Sequence, residues 1–181
     1  MSEGTTGKTY SFDVCAQCNL ICCQGANPPL TLKRKKLIGD YLKSQNLTVE
    51  NVFVCEEYFH PAADSKEYCV FYNQKTGKCR VHQVKPETCK AGPITFGINL
   101  QTRKIEWFLK KEEICALAQR VGANSDQLRG HLEAAKVEIL RLVSELNADS
   151  LRAILRIEEP QTDKIGEDEL PAEVLEKLGI S

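Results

Sequence analysis

Four thiols stand in one short run near the start of this chain, C-A-Q-C-N-L-I-C-C, as Cys15, Cys18, Cys22 and Cys23. Three more, Cys69, Cys79 and Cys89, follow at steps of ten. Thiolate is a soft, strongly donating ligand, and four of them in a tetrahedron hold zinc or an iron–sulfur cluster. The Cys15-x2-Cys18 spacing turns two thiolates toward one metal while neighbouring backbone N–H groups donate to the sulfurs. Adjacent residues such as Cys22 and Cys23 project in different directions. The set therefore reads either as two centres close together or as one centre with a spare thiol.

Disulfides are the competing use of cysteine. The first ten residues are polar and lack the charged start and apolar stretch of a signal peptide, so a reducing, cytoplasmic setting is expected, where clustered thiols bind metal. The count of nine is odd, and at about 5% of the chain it lies below the level of a disulfide scaffold. A formal net charge of -1 gives no bulk attraction to nucleic acid or to anionic lipid. No run approaches the ~20 apolar residues of a membrane helix. Catalytic signals are thin: there is no Gly-rich phosphate loop and no HExxH. A Cys–His pair could be drawn, but thiols committed to metal make poor nucleophiles. His60, His82 and His131 read as ordinary packing or surface residues, and Cys55, outside the pattern, as a buried uncommitted thiol.

The elements that must position these thiols are short. Thr31 can cap a helix to about Gln45 with Leu37, Ile38, Tyr41 and Leu42 as its apolar stripe. The run Lys33, Arg34, Lys35 and Lys36 on its first turns opposes the helix dipole and reads as a solvated face, unless an acidic partner relieves it. Tyr68–Tyr72 and Lys78–His82 flank a turn as one hairpin. Pro86 opens a helical turn ending near Lys90. The alternation of Ile94, Phe96, Ile98 and Leu100, and of Ile105, Trp107 and Leu109, makes a second hairpin with one buried face. Helices are expected from Glu112 to Val121, from a Ser125 cap to about Leu146, and around Leu151–Leu155. The long helix must pack on the cysteine region or on another copy. Residues 158–170, rich in Glu and Asp, read as a solvated linker before a last amphipathic turn from Pro171 to Leu178.

In order, the motifs are C-x2-C-x3-C-C, Cys69-Val70-Phe71-Tyr72, Gly77-Lys78-Cys79-Arg80-Val81-His82, and Lys85-Pro86-Glu87-Thr88-Cys89 with Pro93 beyond. Together they resemble the YkgJ-like cysteine-cluster family, the CxxCxxCC zinc- or iron-chelating domain. The resemblance runs from about Phe12 to Cys115, with Trp107 and Cys115 similar to the tryptophan and last cysteine often seen there. The chain departs from the pattern in one extra residue before Cys22-Cys23, in Lys85 where Arg is usual, and in Ala116 after Cys115. Carried over by position, the resemblance implies metal ligands at Cys15, Cys18, Cys22, Cys23, Cys69, Cys79, Cys89 and Cys115. These are enough for two four-sulfur centres.

The expected fold class is α+β: a small metal-stabilised domain of short β-hairpins and loops over residues 1–123, a helical extension over 124–157, and an acidic linker with a short helix over 158–181. The expected cofactor is a [4Fe–4S] cluster or Zn2+. Pro93 beyond Cys89 and two sheltering hairpins tilt the balance toward iron–sulfur. The expected role is metal binding, structural first, with metal handling or electron transfer second. A partner protein or self-association through the 125–155 helices is the accompanying expectation. Two alternatives stand: a helical adaptor, and a cluster-dependent redox or methyl-transfer enzyme or its accessory subunit. The resemblance implies the enzyme reading, since modules of this kind occur fused to a flagellin-lysine methylating enzyme.

Overall fold

The computed structural model describes residues 22–48, 50–158 and 161–180, and over these the chain is α+β. Thr31 caps the first helix, α1 (Leu32–Ser44), its hydroxyl oxygen accepting from the Arg34 amide at 3.0 Å. Two hairpins follow, β1 (Phe53–Cys55) with β2 (Phe59–Pro61) and β3 (Tyr72–Asn73) with β4 (Lys78–Cys79). In the second, the Asn73 side chain accepts from the Lys75 amide at 3.0 Å, and Gly77 takes φ +66°, the left-handed conformation glycine adopts without strain. These elements and a 3-10 turn at His82–Val84 enclose a first core of Leu30, Ile38, Leu42, Val52, Phe71 and Val81.

The expected Tyr68–Tyr72 strand is cut short for a reason that matters below. Tyr68 and Cys69 spend their main-chain groups on other segments, bridging to Gln24 and Ala63. Beyond the hairpin, Pro86 opens α2 (Glu87–Ala91), as its fixed φ and missing N–H favour. The hairpin of β5 (Ile94–Asn99) and β6 (Lys104–Lys110) has the register its alternation predicts, Phe96 opposite Trp107 and Ile98 opposite Ile105.

Three helices come next: α3 (Ala116–Gly122), α4 (Ser125–Glu145) and α5 (Ala148–Leu155). The first starts later than expected because Glu112 to Ile114 form a turn, with the Cys115 amide on the Lys111 carbonyl. Asn124, rather than Ser125, caps the long helix, its amide oxygen accepting from the Asp126 and Gln127 N–H groups at 3.0 Å each. The apolar side of α4 is covered within the chain. Ala135, Ile139, Leu142, Val143 and Leu146 pack with Ile94, Ile105 and Trp107 in a second, larger core.

Within the stretch read as a linker, Thr162–Glu169 is a strand and not solvated coil. This strand, β7, pairs antiparallel with β6 and completes a three-stranded sheet ordered β5-β6-β7. Its acidic side chains are answered by cations on neighbouring elements. Glu167 pairs with Lys104, and Asp168 with Lys136 at 2.9 Å, while the Trp107 indole N–H donates to Asp168 at 2.6 Å. Composition suggested solvation; the antiparallel ladder to β6 makes the segment a strand, and the ion pairs accommodate its charge. Leu170 and, in α6 (Ala172–Leu178), Val174 then join the second core. That core spans Ala91 to Val174, so the expected boundaries at 123/124 and 157/158 fall inside it. Among the described residues no helix is long and apolar enough to cross a membrane.

Candidate metal centre

Cys15 and Cys18 lie outside the described residues. The other half of the first cluster is placed by main-chain pairing. Residues 23–25 run antiparallel to 67–69, with the Cys69 amide donating to the Cys23 carbonyl at 2.7 Å and the Gly25 amide to Glu67 at 2.9 Å. This carries Cys22 and Cys23 to the strand that bears Cys69. The short ladder of β3 and β4 then sets Cys79 opposite Tyr72, three residues beyond Cys69. Cys89 arrives on α2.

Electrostatics shows that these five thiols share one region. The Cys22 thiol is pulled down to about 6, first because Cys23 donates its proton to it, and, against burial, by Lys85 and Lys110. Cys23, which keeps that proton, is pushed far above the ordinary thiol value, with burial and the charges of Cys22, Cys69 and Cys89 adding. Burial pushes Cys69 up to about 11, and Cys79 and Cys22 add to it. Burial likewise raises Cys79 and, much further, Cys89, where Lys85 opposes and Cys22, Cys69 and Cys79 contribute. Packed thiols cannot all ionise side by side, and a bound cation is what lets them do so.

Two of the sulfurs have the backbone surroundings that ligating thiolates use. Backbone N–H groups two residues ahead face the sulfurs of both hairpin cysteines, Phe71 (with Tyr72) toward Cys69 and Val81 toward Cys79. Such N–H groups support ligating thiolates by hydrogen-bonding to their charge. Among the described residues no cysteine is in a disulfide. Nor, among those residues, does any group of three or more His, Cys, Asp or Glu side chains stand gathered to hold a metal ion. The five thiols act on one another across a shared space without closing a coordination shell.

Residues 14–116 match the CxxCxxCC family, described as a putative zinc- or iron-chelating domain, and the match covers more than half of the chain. The chain belongs to the CxxCxxCC family. No curated protein and no solved structure matches it. Zinc or iron chelation is therefore the family's stated character.

The remaining cysteines differ. Cys115 is half-buried at the head of α3, and its assignment as a ligand rests on the resemblance alone. Cys55, expected to be buried, is exposed, because it ends β1 where the hairpin turns outward through Glu56 and Glu57. Two histidines are buried: His131 lies with Nε2 3.0 Å from the Gly92 carbonyl, and His60 with Nδ1 2.9 Å from the Pro61 carbonyl.

What spacing did not reveal is the charged group behind Cys89. Of the basic run on α1, Arg34 is buried, not solvated, and meets Glu87 and Glu138, both buried. Lys33 reaches Glu145 at 2.8 Å, Lys36 reaches Asp40 at 2.6 Å, and Lys35 lies 4.0 Å from the centre of the Phe59 ring. The clue in the sequence was the clash of four cations with a helix N-terminus, which an acidic partner relieves.

Proposed function

We propose that this CxxCxxCC protein holds one or two four-thiolate metal centres drawn from Cys22, Cys23, Cys69, Cys79 and Cys89 together with Cys15, Cys18 and Cys115. The observation that carries the reading is the main-chain pairing that lays Cys22 and Cys23 along the segment bearing Cys69, with Cys79 brought opposite Tyr72 by the β3–β4 ladder. Each four-thiolate centre is a [4Fe–4S] cluster, with Zn2+ as the alternative occupant of the same donors. Its first role is to hold the cysteine-bearing loops, and metal handling or electron transfer follows from it. Residues such as Cys69 and Cys79 sit at the edge of the first core, so bound metal and apolar packing stabilise the same loops.

Metal analysis and a visible spectrum of anaerobically purified protein test this. A brown preparation with iron and sulfide identifies the cluster, and colourless protein with stoichiometric zinc identifies the alternative. Cys22→Ser and Cys89→Ser should lose metal, while Cys55→Ser, exposed and outside the set, should keep it all. Protein that retains neither metal, or variants that retain full content, would end the proposal.

A further inference from the structure

Cys89 sits in a segment tied down on both sides by buried charge. The guanidinium of Arg34 (α1) reaches three groups: the Glu87 carboxylate, with Nε 3.6 Å from Oε1; the Lys85 carbonyl, accepting from NH1 at 3.2 Å; and Glu138 on α4. Glu138 also takes the Lys90 ammonium at 2.6 Å, and the Gly92 carbonyl lies 3.0 Å from Nε2 of His131 on α4. Residues 85, 87, 90 and 92 are thus braced to α1 and α4, with Cys89 in their middle. Arg34 is 4% exposed, Glu87 0% and Glu138 8%, so these charges are held at a real desolvation cost. Glu87 Oε1 accepts from the Thr31 hydroxyl at 2.7 Å, yet its buried Oε2 has no hydrogen-bond partner. A buried ion network is weak evidence for stability, since apolar packing does as well or better, and its better-attested use is to fix one arrangement.

We propose that Arg34 is a positioning residue for the metal centre: by clamping α1 and α4 onto the turn that bears Cys89, it holds that sulfur toward the other thiols. The inference rests on the metal-thiolate reading above and deepens it. Coupling between sites is reciprocal, so metal on Cys89 tightens the clamp by the same factor by which the clamp strengthens metal binding. Groups behind ligands change metal affinity by about 10–100-fold, and Arg34 should fall in that range. Lysine cannot span three acceptors, so Arg34→Lys should restore only part of the loss.

The test is a zinc titration of the full chain under reducing conditions against a competing chelator. Arg34→Met should weaken zinc binding about 10–100-fold, with Arg34→Lys intermediate. In a Cys89→Ser background Arg34→Met should cause no further loss, because the sulfur it positions is gone. A merely structural residue would lower the melting temperature of both metal-free and zinc-bound protein, leave zinc affinity unchanged, or add its loss to that of Cys89→Ser. Either of the last two results overturns the inference and leaves the metal reading standing. Wild-type protein that binds no zinc and, on reconstitution, no iron–sulfur cluster would instead remove the metal reading itself, and this inference with it. If Arg34→Met does not fold, Glu138→Gln and Lys90→Met, which loosen the same turn more gently, carry the same comparison.

Discussion

A histidine shows how a single residue links packing to solution behaviour. His131 is buried on α4 against the loop after α2, and burial holds its pKa below the ordinary histidine value, although bonds to the Gly92 and Ala91 backbone oppose this. The unfolded chain therefore takes up a proton at higher pH than the folded chain does. Its contribution to stability is complete above about pH 6.5 and is lost as the pH falls through the lower folded value. His131→Gln keeps a donor for the carbonyl but cannot titrate. Melting temperature measured from pH 7.5 to 5 should fall more steeply for the wild type than for this variant. Parallel curves would show that His131 carries none of the acid sensitivity, and taking the difference cancels what the thiols contribute to both proteins.

At the scale of elements, local pattern predicted what local physics decides. The β5–β6 hairpin follows from period-two alternation, and α1 follows from a Thr cap and an apolar stripe, because each signal lies within the segment that obeys it. The β7 strand was not legible, since what makes it a strand is a partner about sixty residues earlier and cations on β6 and α4. At the proposed metal centre the candidate thiols were named from spacing and resemblance, whereas the charged brace around Cys89 was hidden, because Arg34, Glu87 and Glu138 are far apart in sequence. The strand assignment can be checked directly. A chain ending at residue 158 would be unharmed if the remainder were linker. Here it strips one edge of the sheet and removes Leu170 and Val174 from the larger core. Loss of two core side chains of this size costs about 2–5 kcal/mol each when truncated to Ala, against a typical total stability of about 5–15 kcal/mol. The shortened chain should be molten or aggregated, and amide exchange in the full chain should protect those Thr162–Glu169 amides that face β6. A truncated protein with native tryptophan fluorescence would refute the strand's structural role.

For the whole molecule, the question is how far metal loss spreads. Among the described residues the smaller core has six buried apolar residues, with Cys69 and Cys79 packed at its edge, so loss of metal from the proposed centre should be felt there first. Among the described residues the larger core contains thirteen buried residues from the three-stranded sheet, α2, α4 and its C-cap Leu146, α5, α6 and the residue after β7, and includes the single tryptophan, Trp107, at 0% exposure. A structural zinc centre contributes about 10–16 kcal/mol of apparent binding energy, enough to decide whether the smaller core exists. Sequence alone extended that dependence over roughly the first 120 residues; the cores divide it differently, because the β5–β6 hairpin packs with the helices. Stripping metal under reducing conditions should therefore melt the region around Phe71, Tyr68 and Tyr72, with loss of tyrosine dichroism from that stacked pair. Trp107 should keep a buried, blue emission, and the α4 amides facing the sheet should stay protected. The brace through Arg34 and Glu138 marks where the change must stop: α4 amides near Glu138 should exchange faster while those near Leu142 and Val143 do not. If Trp107 shifts red together with the tyrosine signal, the two cores unfold as one unit and the metal stabilises the entire chain.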